Sequence, residues 1–151
     1  MPLLLAPLRI EAWAAGAQKL GRRRPDEPFT LVGTCGAVDP TLRAGDIVVA
    51  TELRHRDSTL AVDAAIAERL RHLAPRTGPI VTVDRIAGPR ERATLGDALA
   101  VDMESFWLEP AAVVRVVVDE AGRRLLHPRT LVAGIRGLRT LRRVGRALSS
   151  P

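Results

Sequence analysis

Apolar residues fall into short runs separated by Gly, Pro and charged breaks, and the spacing of each run names an element. Residues 2–5 read as a short buried strand. Residues 8–15, rich in Ala with Glu11 and Trp13, read as a helix. Residues 16–28 are polar, basic and punctuated by Gly and Pro, which predicts a loop. Residues 29–33 form a second strand that runs into Gly33-Thr34-Cys35-Gly36, a small-residue turn where backbone can approach a ligand. Asp39-Pro40 opens a reverse turn, and the β-branched residues 46–50 form a third strand. Ser58 is placed to cap a helix in which Val62, Ile66, Leu70 and Leu73 recur at helical spacing up to Pro75. Residues 79–83 are a fourth strand, residues 89–97 a short helix, and Met103 to Leu108 begins another. The clearest buried strand spans 112–118, where Val113, Val114, Val116, Val117 and Val118 surround a single Arg115. Last, Leu131, Ile135, Leu138 and Leu141 form an apolar stripe with Arg136, Arg139, Arg143 and Arg146 on the other side, a C-terminal amphipathic helix with a basic face.

Strands alternating with helices predict an α/β fold, a three-layer arrangement with a mostly parallel, mixed sheet flanked by helices. Ligands of such sheets bind beyond the carboxyl ends of the strands. Gly33 to Gly36, Asp84 and Asp119 stand just after predicted strands and are candidates for chemistry.

Composition narrows this little. The 151 residues suffice for one domain, and 46% apolar with 26% charged residues is the balance of a folded chain in water. The first apolar run is too short to span a bilayer and has no basic leader segment, so a cytoplasmic protein is expected. Cys35, the only cysteine, excludes an internal disulfide, and the scattered His55, His72 and His127 lack ligand spacing, so no metal site is expected. The net charge of +6 is carried by Arg, with Lys19 the only lysine. Two Phe, two Trp and no Tyr leave few side chains for stacking bases, so no nucleic-acid partner is expected.

Three carboxylates merit separate attention. Asp119 emerges from the valine strand into a partly desolvated place, where a carboxylic acid kept neutral can donate a proton; an Asp that merely opens the Asp119-Glu120-Ala121-Gly122 turn is the commoner case. Glu104 near a helix start can accept from two adjacent sugar hydroxyls, with Met103 as an adaptable apolar surface, though on spacing alone a first-turn Glu that suits the helix dipole is the commoner case. Glu11 can activate water, though a surface Glu on a helix is commoner. The glycine segment can cradle a sugar or phosphate oxygen with its amides, though taken by itself a plain turn is the better reading.

In order along the chain these segments resemble one family. Residues 31–49 (LVGTCGAVDPTLRAGDIVV) resemble the strand, glycine turn and D-P-x-L-x-x-G-D-I-V loop of the nucleoside phosphorylase/nucleosidase superfamily. Residues 100–105 (AVDMES) resemble its x-V-(D/E)-M-E-(A/S) block, and residues 113–119 (VVRVVVD) its V-R-x-x-S-D strand, with Val118 where Ser is commonest. The opening APLRIEA, the AVDMES block, the valine strand and the Arg/Leu-rich last helix look most like the hopanoid-associated phosphorylase-like proteins. The resemblance implies a single nucleoside phosphorylase-like domain over 1–151 that cleaves the N-glycosidic bond of a purine nucleoside. Glu104 and Met103 would hold the ribose hydroxyls, Asp119 would protonate the leaving purine at N7, and Glu11 would be the base. Gly33, Cys35 and Gly36 would line the substrate site. No cofactor is implied, with phosphate an alternative co-substrate to water. The implied substrate is an adenosyl nucleoside, lipid-linked in the case of adenosylhopane, with membrane contact at most peripheral and a homo-oligomer as the usual assembly. A degenerate binding protein, or a nucleosidase acting on futalosine or methylthioadenosine, is the alternative.

The sequence also departs from that family. Residues 16–28 stand where the family has a further strand, a T-G-x-G turn and a helix, and only Glu109-Pro110-Ala111 precedes the valine strand. One strand–helix unit is therefore expected to be missing. Catalytic groups need a precise scaffold, so weak or absent activity is expected unless a partner subunit fills the gap.

Overall fold

The valine-rich run becomes the middle of a closed sheet. In the computed structural model, which describes residues 3–19, 25–74, 76–122 and 128–149 (side chains 134–148 in the last segment), this run is strand β8 (Ala112–Asp119). The preceding elements are β1 (Leu3–Ala6), α1 (Arg9–Ala15), β2 (Gln18–Lys19), β3 (Phe29–Ala37), β4 (Ile47–His55), β5 (Ser58–Ala61), α2 (Ala64–Leu70), β6 (Arg76–Thr82), α3 (Pro89–Arg92), β7 (Ala100–Asp102) and α4 (Ser105–Leu108); α5 (Pro128–Ser149) ends the chain.

β8 pairs parallel with β3 and antiparallel with β4. β4 pairs parallel with β6, β6 parallel with β7, and β7 antiparallel with the end of β3. These strands form a small barrel-like ring within a mixed sheet. β1 and then β2 extend it from the start of β3, and β5 makes a hairpin with β4. Register shifts at Cys35/Gly36 in β3 and between Ala50 and Leu53 in β4 bend these strands, so that β3 serves β1 with its first half and β7 with its end.

Two-residue periodicity sorts β8 into an outer and an inner row. Val114 and Val116 face outward, onto a core that takes in Val32, Val49 and the α5 residues Leu141, Val144 and Leu148. Val113 and Val117 face inward with Leu31, Cys35, Val48, Leu53 and Ile80. Arg115 and Asp119 belong to this inner row. α5 also lies hard against α1: a β-carbon at Gly145 would stand 1.7 Å from the Ala15 carbonyl oxygen, so only glycine permits this approach.

Several expectations are corrected. The small-residue segment 33–36 is not a turn; β3 continues through it to Ala37, because β8 pairs with it in parallel as far as Gly36 and β7 pairs with Gly36 and Ala37. Ser58 caps no helix but starts β5, closed against His55 across Arg56-Asp57. Asp63 is the cap, accepting from Ala65 N and Ile66 N. Residues 16–28 are not wholly loop, since Gln18–Lys19 pairs with β1; residues 20–24 lie outside the described set. In the last helix Ile135 is 49% exposed rather than part of the apolar stripe, while Leu131 lies outside the described side chains. Arg136, Arg139, Arg143 and Arg146 are exposed, as the pattern predicts. Among the described residues no helix is long and apolar enough to cross a membrane.

Candidate functional site

At the carboxyl ends of β3, β7 and β8 the sheet leaves a cleft of about 370 Å³. Thr34, Cys35 and Gly36 come from β3, Asp102 from the end of β7, Met103 and Glu104 from the link to α4, and Val118 and Asp119 from β8; Leu8, Val83, Ile86, Ala87, Arg92 and Val101 complete the lining. Most predicted site residues thus converge, although they come from segments far apart in the chain. Gly33 is buried outside the lining, and Asp84 is exposed and paired with Arg56 instead.

Arg115 organises the floor. Its side chain is fully buried, since it projects from the inner row of β8. Nε donates to Asp102 Oδ2 at 3.0 Å, and Nη2 lies 2.7 Å from the same oxygen. Nη2 also reaches Glu104 Oε2 at 3.1 Å and Ser105 Oγ at 3.0 Å. Asp102 is fixed in turn by hydroxyls: Thr82 Oγ1 donates to Oδ1 at 2.8 Å, and Ser105 Oγ donates to Oδ2. The Thr82 carbonyl is held by His55 Nδ1 at 3.0 Å, whose ring packs on the edge of Trp107. A buried charge keeps its ionised state only with such partners. One atom of the cluster lacks one: Arg115 Nη1 is buried without a hydrogen-bond acceptor.

Glu11 meets this guanidinium at Gly33, near the point where a β-carbon would stand. It is buried, unlike the surface Glu that helix statistics favour. Oε1 accepts from Thr34 N at 2.8 Å and Thr34 Oγ1 at 2.6 Å, and Oε2 accepts from Leu8 N at 3.1 Å, which closes the start of α1. Glu11 therefore reaches the cleft through Thr34, a lining residue.

The electrostatics follow from this crowding. Burial pushes the Glu104 carboxyl above its ordinary range, and Arg115 offsets only part of that rise. For Arg115 itself burial disfavours the charge, but Asp102, then Glu104 and Glu11, overcome it and the guanidinium is held more firmly protonated than usual. Burial raises the Cys35 thiol to about 12, so it contributes packing and not nucleophilicity. Around Arg115 three carboxylates face one guanidinium, an environment that favours a ligand with cationic character.

Asp119 is buried at the far end of the cleft, where it forms an ion pair with Arg92. Arg92 Nε donates to the Ala87 carbonyl at 2.9 Å. A β-carbon at Gly36 would meet the Arg92 guanidinium carbon at 3.1 Å, so Gly36 leaves room for this side chain. Sequence reasoning missed Arg92, Asp102 and Ser105 as site residues, and it gave Thr34, within the candidate segment 33–36, no role of its own. Arg115 carried a signal, a lone charge within a valine strand; Arg92 carried none. Among the described residues no group of His, Cys, Asp and Glu is placed to hold a metal ion; His72 bonds only to the Arg69 carbonyl, and His127 lies outside the described set.

No protein-family model and no curated protein matches the sequence. Solved structures do resemble it. The 5'-methylthioadenosine/S-adenosylhomocysteine nucleosidase of Campylobacter jejuni superposes with a TM-score of 0.74 at 16% identity, over 96% of this chain and 95% of that one. The corresponding nucleosidase of Helicobacter pylori, solved with butyl-thio-DADMe-Immucillin-A, gives 0.73 at 13% identity over 96% and 94%. That of S. pneumoniae, with the transition-state inhibitor MT-ImmA, gives 0.72 at 16% over 96% and 95%. The barrel-like ring, the flanking helices and these superpositions agree: the chain has the fold of the nucleoside phosphorylase/nucleosidase superfamily.

Proposed function

We propose that the protein hydrolyses the N-glycosidic bond of a purine nucleoside, with an adenosyl compound as substrate. The observation that carries this reading is the buried Glu11–Thr34 and Arg115–Asp102–Glu104 constellation at the floor of one cleft, with Asp119 at its end. Glu104 lines the cleft with one oxygen held by Arg115, and its carboxylate accepts the ribose hydroxyls over the apolar Met103. The C1′–N9 bond breaks with its electron pair going to the base, a proton taken from solvent reaches N7 by way of the Asp119 carboxylate, which returns to its pair with Arg92, and water bonds to C1′ as its proton passes to Glu11 through Thr34. The sugar develops positive charge on the way, which the excess of carboxylates favours. The same excess opposes a phosphate dianion, which is why water is assigned as nucleophile.

The structures that superpose on this chain are nucleosidases by name, and their fold supports the reading. The finer substrate, adenosylhopane, rests on the sequence resemblance alone, as does a homo-oligomeric assembly, and a cytoplasmic location rests on the hydropathy of the sequence. The two-residue strand β2 and the link at Glu109, whose φ is 44°, favour a second reading, a shortened member that binds a nucleoside with little turnover. The test is release of free adenine from adenosine and 5'-methylthioadenosine by the purified chain, with and without phosphate. Release independent of phosphate and abolished in Glu11→Gln supports hydrolysis. Thermal stabilisation by adenosine without adenine release supports the second reading, and equal release by wild type and Asp119→Asn removes the assigned mechanism.

A further inference from the structure

We propose that the outer face shared by α1 and α5 docks the protein on an anionic lipid bilayer. The inference does not rest on the nucleoside reading, since no residue used for it lines the cleft. α5 carries Arg136, Arg139, Arg142, Arg143 and Arg146, all exposed, and no acidic residue along its length. Arg139, Arg142, Arg143 and Arg146 recur at i, i+3, i+4 and i+7, which puts them on one stripe about 10 Å long. Among the described residues Arg139, Arg142 and Arg143 have no carboxylate partner. Like charges one turn apart repel, so the stripe weakens the helix unless an anionic surface faces it. Ile135, 49% exposed, stands on the same stripe, four residues before Arg139 and seven before Arg142.

α1 lies beside α5 over the same core: Ala12, Ala14 and Ala15 pack with Leu141, Val144 and Leu148, and Gly145 meets the Ala15 carbonyl. Arg142 is one turn before Gly145, so the stripe reaches the flank that adjoins α1. The side of α1 turned from the core carries Arg9, Ile10 and Trp13, with Trp13 78% exposed and Ile10 54%. Glu11, the one acid of α1, is buried. Such a face fits the boundary between headgroups and acyl chains, where guanidinium groups meet phosphates while indole and aliphatic groups leave water. A nucleic acid also offers phosphates, but a duplex has no apolar layer for Trp13, Ile10 and Ile135.

The test is co-sedimentation of the full chain with phosphatidylcholine vesicles, with and without phosphatidylglycerol, at low and high salt. Wild type should bind the anionic vesicles about tenfold or more tightly than the neutral ones, with the preference shrinking at high salt. The triple variant Arg139→Gln/Arg142→Gln/Arg143→Gln should lose about a hundredfold on anionic vesicles. Trp13→Ser should lose about tenfold at either salt. Brominated acyl chains should quench the fluorescence of wild type, and that of Trp13→Phe much less, because its remaining Trp107 packs against His55. Equal binding to both vesicles, or binding to neither, overturns the proposal. So does a folded triple variant that binds as wild type. Tighter binding to duplex DNA, lost in the triple variant and kept in Trp13→Ser, assigns the arginines to nucleic acid and overturns it too. A dimer that Trp13→Ser dissociates overturns it by assigning the face to a second copy of the chain. Melting curves show which variants fold; should one fail, the vesicle preference and bromine quenching of wild type decide.

Discussion

Arg115 Nη1 occupies the place where a side chain at position 33 would begin: a β-carbon on Gly33 would stand 2.2 Å from it. The guanidinium that orients Asp102 and Glu104 crosses β3 at a residue without a β-carbon, and the Glu11 oxygens lie 3.4 Å from that same point. Gly33→Ala should therefore push Arg115 out of place. Overpacking of a filled interior costs about 1–3 kcal/mol, and adenosine binding should fall with it. Urea denaturation and calorimetry measure both; an alanine variant with wild-type stability and binding would show that the cluster is more plastic than drawn.

Removing Arg115 should cost more. Arg115→Met leaves Asp102 buried against Thr82 and Ser105 with no cation, and stranding a buried charge costs about 3–5 kcal/mol. A drop in the urea midpoint at unchanged slope is the expected result. The double variant Arg115→Met with Asp102→Asn should recover part of the loss, because the stranded charge is gone.

Glu104 sets function against stability. Its carboxyl is pushed above its ordinary value of 4.5 by burial, so the folded state holds that proton more tightly than the unfolded state. Its contribution to stability is present below the unfolded value and is lost as pH rises through the folded value. Glu104→Gln should therefore melt at or above the wild-type temperature near neutral pH, with the difference disappearing on acidification below the unfolded value. The same variant should lose stabilisation by adenosine. Melting curves from pH 4 to 8 check both; a variant less stable than wild type at neutral pH would mean that the Arg115 contact outweighs burial.

Cys35 should be chemically silent in the folded protein. Its thiol is buried and raised to about 12, so little thiolate forms near pH 8. A chromogenic disulfide reagent should label it only at the rate of unfolding and immediately in urea. Fast labelling of native protein would show that the cleft opens to its floor. Cys35→Ala should keep adenosine binding.

The sequence alone carried the periodic part of the fold. Valines on both faces of 112–119 require a strand buried on both sides, and the stripe through Leu138 and Leu141 requires a helix laid on a core. Roles for Glu11, Met103, Glu104 and Asp119 came from the resemblance of their segments to a known family, since spacing alone favoured plainer readings of the three carboxylates. Backbone pairing and side-chain contact between distant segments were left to the tertiary structure. Small residues at 33–36 suit a turn or a strand equally, and only the parallel partner β8 makes them strand, with Gly33 kept small by Arg115 rather than by a ligand. Ser58 and Asp63 are both good caps, and pairing with β4 removes the first from contention. Arg92 has no local signal at all: it meets Asp119 only because β8 and the segment after β6 end at the same cleft, and burial of that pair depends on the whole ring closing.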